Sequence, residues 1–133
     1  MRIALWIVQS LLAFAFLAAG FMKASTPIAE LATQMAWVEV FPAFAVRAIG
    51  VAEIAGGLGL ILPAVTRIKP VLTPVAAAAL AFLMVGGVGT HAFTDGITNG
   101  IPALVLGSLA AFVAWGRFVK APIAERGEVL ATA

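Results

Sequence analysis

The 133-residue sequence has no cysteine and a single histidine, and only 11% of its residues are charged. Each shortage removes a class of chemistry. Without cysteine the chain itself can form no disulfide, thiolate metal site, iron–sulfur cluster or thiol relay. One histidine cannot supply both axial ligands of a bis-histidine haem, and no other metal-ligand motif is present. The charged fraction is less than half of the ~25% usual in soluble domains. Nucleic acid is not an expected partner either. The net charge is +2 and the pI near 9.7, but the eight basic residues are scattered around apolar spans and form no run or stripe.

What the chain has in abundance is apolar surface: 63% of its residues are hydrophobic and its mean hydropathy is +1.13. A water-soluble fold of this size buries only about two-thirds of the surface its unfolded chain exposes, too little to hide so much. The expected solvent is lipid. The length suits one membrane domain over residues 1–133.

Crossing ~30 Å of hydrocarbon takes ~20 mostly apolar residues in helical conformation. Four segments fit, at approximately 3–22, 43–62, 71–88 and 101–118. The first carries only Gln9 and Ser10 as polar side chains, the second Arg47 and Glu53, the third Thr73, and the fourth Ser108 and Arg117. Pro63, Pro70 and Pro102 fall at or near the ends of these segments, where a missing N–H is tolerated. The expected fold class is therefore all-α, a bundle of four transmembrane helices. The first segment could also be read as a signal peptide, but its apolar stretch exceeds the ~7–15 residues of such regions, which favours a retained span.

Basic residues set the expected orientation. With the N-terminus inside, Arg2, Arg67, Lys69, Arg117, Lys120 and Arg126 lie on the cytoplasmic side, and Lys23 alone falls in an outer loop. The expected location is the inner (plasma) membrane, multi-pass, with both termini cytoplasmic. In the first outer loop Ile28, Leu31, Ala32 and Met35 repeat at i, i+3, i+4 and i+7, one apolar stripe of a short helix. The favoured reading is an interfacial helix with Trp37 at the headgroup level; the alternative is a lid over an outward pocket. The tail after Phe118 is expected to fray.

Glu53 is the most informative residue. A carboxylate midway along a span costs several kcal/mol unless paired or protonated. Its helical face also carries Val46, Ile49, Gly50, Gly56, Gly57 and Leu60, and the small residues direct that face into the bundle. Arg47 is six residues away, a rotation of about 120°, so the two do not stack on one face. Arg47 is expected to snorkel to the outer headgroups or to pair with Glu39. Without a partner Glu53 is expected to be protonated, and in a purely structural role it would link helices through Gln9 or Ser10. His91, just past the third span and about 13 Å from Glu53 in depth, could meet Lys23, Glu39, Arg47 or Asp95. The glycines at 56, 57, 59, 86, 87 and 89 read as helix-packing positions and not as a phosphate loop.

These residues resemble the DoxX-like membrane proteins over nearly the whole chain. The resemblance rests on Ala19-Gly20-Phe21-Met22-Lys23, on the stretch from Arg47 through Glu53 to Gly56-Gly57 with Leu62-Pro63 beyond it, and on Leu83-Met84-Val85-Gly86-Gly87 followed by Thr90-His91. The glutamate-then-glycine pattern is its most specific part. The resemblance implies a compact four-helix membrane bundle. Some members of the wider family are subunits of quinone-linked oxidoreductases, including thiosulfate:quinone and terminal quinol oxidase systems. Lys23, Arg47, Glu53 and His91 are the positions where the family pattern and the residue-level reading meet, and they form the candidate ligand-binding set.

The leading functional expectation is a non-catalytic subunit or small hydrophobic-ligand binder, quinone-like in its ligand and associated with a membrane redox system. Its cavity would open outward, with Glu53 at the base and Arg47 and His91 near the mouth. The alternative is a proton-coupled small-molecule transporter using Glu53. An enzyme acting alone would need a bound cofactor, for which no motif is evident, and no catalytic residue can be assigned. The expected partners are the lipid bilayer, a redox protein and a second copy of the chain. Reporter fusions at Arg67 and after Ala133 should read as cytoplasmic, and those near Lys23 and Asp95 as external; a cytoplasmic signal at Asp95 would overturn the four-span topology.

Overall fold

A computed structural model describes residues 1–127 of the chain. Helix α1 (Arg2–Ser25) leads through a short α2 (Ile28–Gln34) and a 3-10 turn (Ala36–Glu39) into α3 (Ala43–Thr66). Helix α4 (Leu72–Thr94) is joined by a second 3-10 turn (Ile97–Gly100) to α5 (Ile101–Trp115), which widens into a π turn (Gly116–Lys120). Four segments are long and apolar enough to span a membrane: Arg2–Ser25, Ala43–Thr66, Leu72–Thr94 and Ile97–Lys120. Phe14, Phe44, Phe82 and Phe93 stand 76 to 93% exposed around the girth, as lipid-facing side chains do.

Three helices run further than expected, α3 among them: it continues through Pro63, which lies inside the helix and not after it, and ends at Thr66. Helix α1 continues past Met22 to Ser25, because nothing in Lys23-Ala24-Ser25 breaks a helix before Pro27. Helix α4 passes Gly86, Gly87 and Gly89 and ends only at Thr94. A glycine weakens a helix by about 1 kcal/mol and does not by itself stop one. At the other end, Arg67 takes a left-handed conformation (φ 57°) that closes α3, and its carbonyl accepts the Arg126 N–H at 2.9 Å. The tail therefore folds back onto the α3–α4 loop as far as it is described; the expected fraying of its last residues lies outside the described residues.

The helices form a closed ring in which every neighbour is antiparallel. Helix α1 crosses α3 where Gly20 meets Gly50, α3 meets α4 where Gly56 touches Leu80 and Gly59 touches Ala76, and α4 meets α5 where Gly107 touches Met84. Leu5 of α1 closes the ring against Gly116. Lipid solvates a leucine as well as another helix does, so such contacts hold by close van der Waals fit between small and large residues. Leu12, Phe16, Leu60, Leu80 and Val113 fill the centre, each no more than 2% exposed. The buried positions of α3 are Val46, Gly50, Glu53, Gly57, Leu60 and Ala64, the face expected from the sequence.

The glycines divide into two groups. A Cβ at Gly50 would lie 2.7 Å from the Gly20 carbonyl oxygen and 2.8 Å from the Ala24 nitrogen, both backbone atoms that cannot yield. A Cβ at Gly86 or Gly89 would meet nothing within 4 Å, so these two are not helix-packing positions. Gly50→Ala should therefore lower the melting temperature in detergent sharply. Gly89→Ala should leave it unchanged or raise it, because alanine is the better helix former by up to ~1 kcal/mol. Equal melting temperatures for the two variants would refute the α1–α3 crossing.

Candidate functional site

The crossing at Gly20 and Gly50 sets the polar centre. In an antiparallel pair, Lys23 lies three residues beyond the crossing on α1 and Glu53 three residues beyond it on α3. Their axial separation is about 9 Å at ~1.5 Å per residue, a gap two long side chains can close. They do. Lys23 Nζ donates to Glu53 Oε1 at 2.9 Å and to Oε2 at 3.0 Å, with the side chains only 13% and 3% exposed.

This geometry corrects two sequence-based expectations. Glu53 is not left unpaired in the bundle, and its partner is neither Gln9, Ser10 nor Arg47. A first span that ends at Met22 leaves Lys23 in the outer loop; the further residues of α1, which runs to Ser25, carry it back over the bundle. Arg47 neither snorkels outward nor pairs with Glu39. Its Nη1 donates to the carbonyls of Lys23 at 2.9 Å and Thr26 at 2.6 Å. A cation on the last carbonyls of a helix offsets their unsatisfied partial charge, so Arg47 caps α1 from α3.

Above the ion pair, toward the end of the bundle opposite the termini, lies a cavity of about 810 Å³. Helix α1 contributes Phe16, Ala19 and Lys23 to it; α3 contributes Ile49 and Glu53. Helix α4 adds Leu83, Met84, Thr90 and His91, with Gly86 and Gly87 leaving room, and α5 adds Pro102, Ala103 and Leu106. Three of the four candidate residues, Lys23, Glu53 and His91, share this cavity; Arg47 is not part of its lining.

The remaining wall is the connection between α1 and α3. Leu31 of α2 is fully buried, Trp37 is 7% exposed, and both pack with Val38 and Val46. Residues from Ala32 to Trp37, together with Phe41, face the cavity, and Trp37 meets Phe41 edge-on with ring centroids 5.8 Å apart. The segment is thus a wall of the cavity and not only an anchor at the headgroups, and Trp37 points inward. The apolar stripe was readable from spacing, but which surface it covered depended on a groove that exists only once α1 and α3 have met.

His91 is held by its own helix turn. Its Nδ1 lies 2.7 Å from Asp95 Oδ1, four residues on. The hydrogen bond from His91 holds the Asp95 carboxyl below the usual carboxylate range, aided by Thr94. With Asp95 ionised, Nδ1–H is the donor, and in the neutral ring Nε2 is the acceptor left over. Gly96 (φ 105°) then turns the chain, a left-handed conformation that favours glycine.

A buried ion pair resists loss of one partner more than loss of both. Glu53→Gln should strand the Lys23 ammonium and destabilise the bundle by about 3–5 kcal/mol. The double variant Lys23→Met/Glu53→Leu should recover most of that loss. Melting curves of the parent, the single variants and the double variant measure the coupling; additive effects would mean that the pair is not formed.

The family-level comparison agrees with this architecture. A model of the DoxX-like family matches residues 7–113, a stretch that includes Lys23, Glu53 and His91. No curated protein and no solved structure matches the chain. With four-fifths of its length matched, including the helix crossing, the ion pair and every residue that lines the cavity, the chain belongs to the DoxX-like family.

Proposed function

We propose that this protein is a non-catalytic membrane subunit that binds a small, flat, hydrophobic ligand of the quinone class. The observation that carries this reading is an apolar, partly aromatic cavity of about 810 Å³ with a buried Lys23–Glu53 pair at its base. The volume lies within the ~300–1,000 Å³ typical of small-molecule sites, and apolar walls with a few fixed polar groups are their usual lining. Two of the three protons on Lys23 Nζ go to Glu53, which leaves one donor for a ligand carbonyl. His91 Nε2 offers an acceptor for a hydroxyl on the reduced form of such a ligand. With no thiol in the chain, electron transfer would fall to a redox partner.

The alternative, a proton-coupled transporter using Glu53, has less support. Below Glu53 the bundle is filled by Leu12, Phe16, Leu60, Leu80 and Val113. Gln9 and Arg117 close the end beyond. A ligand at the ion pair would leave by the way it came.

Titration of the purified protein with a short-chain benzoquinone, followed through Trp37 fluorescence, tests the proposal. Saturable quenching is expected. Thr90→Phe, which fills the cavity without touching the ion pair, should weaken it about tenfold or more, in line with loss of a well-fitted apolar contact. Absence of saturation, or quenching unchanged by Thr90→Phe, would refute the proposal.

A further inference from the structure

The end of the bundle that carries the termini holds a second polar cluster, remote from the cavity. Gln9 is fully buried; it donates to the Leu60 carbonyl and accepts the Arg117 Nε–H at 2.9 Å. The π turn Gly116–Lys120 swings Arg117 inward, where it is only 4% exposed. Such single wide turns recur at functional sites. The guanidinium lies 5.2 Å from the Trp6 ring centroid, and its Nη1 donates to the Ala121 carbonyl at 3.2 Å.

Its Nη2 is buried and, among the described residues, has no hydrogen-bond partner. An unsatisfied donor on a charged group is among the more costly groups to bury, and arginine does not lose its charge. Among the described residues no carboxylate relieves it: at the far end Glu53 is paired with Lys23 and Asp95 is hydrogen-bonded to His91. Arg2 and Lys120 line an open groove of about 570 Å³ with Met1, Ile3, Ala121 and Pro122. The Ala121 carbonyl that holds Arg117 places the guanidinium beside that groove. Lys120 rests 5.5 Å from the Trp115 ring centroid, and tryptophans with lysines or arginines mark the membrane–water boundary.

We infer that this groove binds a phosphate-bearing anion, the headgroup of an anionic phospholipid or a soluble phosphate. Arg2 and Lys120 supply charge at the rim, and the buried Arg117 guanidinium, held by the Ala121 carbonyl, adds positive charge beneath. Guanidinium donors match phosphate oxygens in geometry as well as charge. Met1, Ile3 and Pro122 give the groove an apolar side, against which the glycerol and upper acyl region of a lipid would lie.

Native mass spectrometry and thermal melting of the full chain in mild detergent test this, with added phosphatidylglycerol, phosphatidylcholine or inorganic phosphate. Phosphatidylglycerol should be retained and should stabilise the protein, with affinity about tenfold or more above phosphatidylcholine, as ~1 kcal/mol for each basic residue near an anionic surface implies. Arg2→Gln/Lys120→Gln should abolish most of that preference. Both side chains are exposed, so the fold should survive, and Lys120→Gln alone serves if the double variant melts early without lipid. Stabilisation by inorganic phosphate equal to that by phosphatidylglycerol would assign the site to a soluble phosphate; a weaker effect assigns it to the lipid. Equal retention of the two lipids, or a preference that survives the substitutions, would overturn the inference.

Discussion

The backbone contact between Gly20 and Gly50 is the constraint on which the rest of the structure depends. In lipid, apolar side chains gain little from leaving the solvent, so helices are held where their surfaces fit closely. Two glycines let the backbones of α1 and α3 touch. Because the helices run antiparallel, that one contact fixes which side chains meet on either side of it. Lys23 reaches Glu53 across the crossing, and Arg47 reaches the exposed carbonyls at the end of α1. A thicker crossing would leave a carboxylate and two cations separately buried, which is far more costly than burying them together.

Polarity inside the bundle is confined to two levels separated by a dry centre. At one level Lys23, Glu53, His91 and Asp95 are paired along the cavity. At the other, Gln9 and Arg117 are bonded to each other and to backbone carbonyls. Between them Leu12, Phe16, Leu60 and Leu80 exclude water. The two proposed sites therefore lie at opposite ends of the bundle, and among the described residues no continuous polar path joins them.

Much of the fold was legible because span length and helical periodicity are local properties. The inward face of α3 followed from residue spacing alone, since a carboxylate and glycines on one stripe can be accommodated only inside a bundle. The His91–Asp95 contact was within reach for the same reason, being an i, i+4 pair on one helix. Lys23 was harder to place. Its role turned on whether α1 ended at Met22 or three residues later, and helix ends are where sequence signals are weakest. Arg117 gave still less warning, since a basic residue near the end of a span ordinarily snorkels, and the π turn that draws it inward has no recognised sequence signature here.

By itself, then, the sequence determined the solvent, the four spans and the inward direction of Glu53, all consequences of composition and of a period of 3.6 residues. The tertiary structure alone decided which charges meet. Pairing between helices depends on their order in the ring, on the level at which they cross and on the reach of each side chain, and none of these is a property of a single helix. That is why Lys23 and not Arg47 neutralises Glu53, why Trp37 lines a cavity, and why one nitrogen of Arg117 has no partner among the described residues.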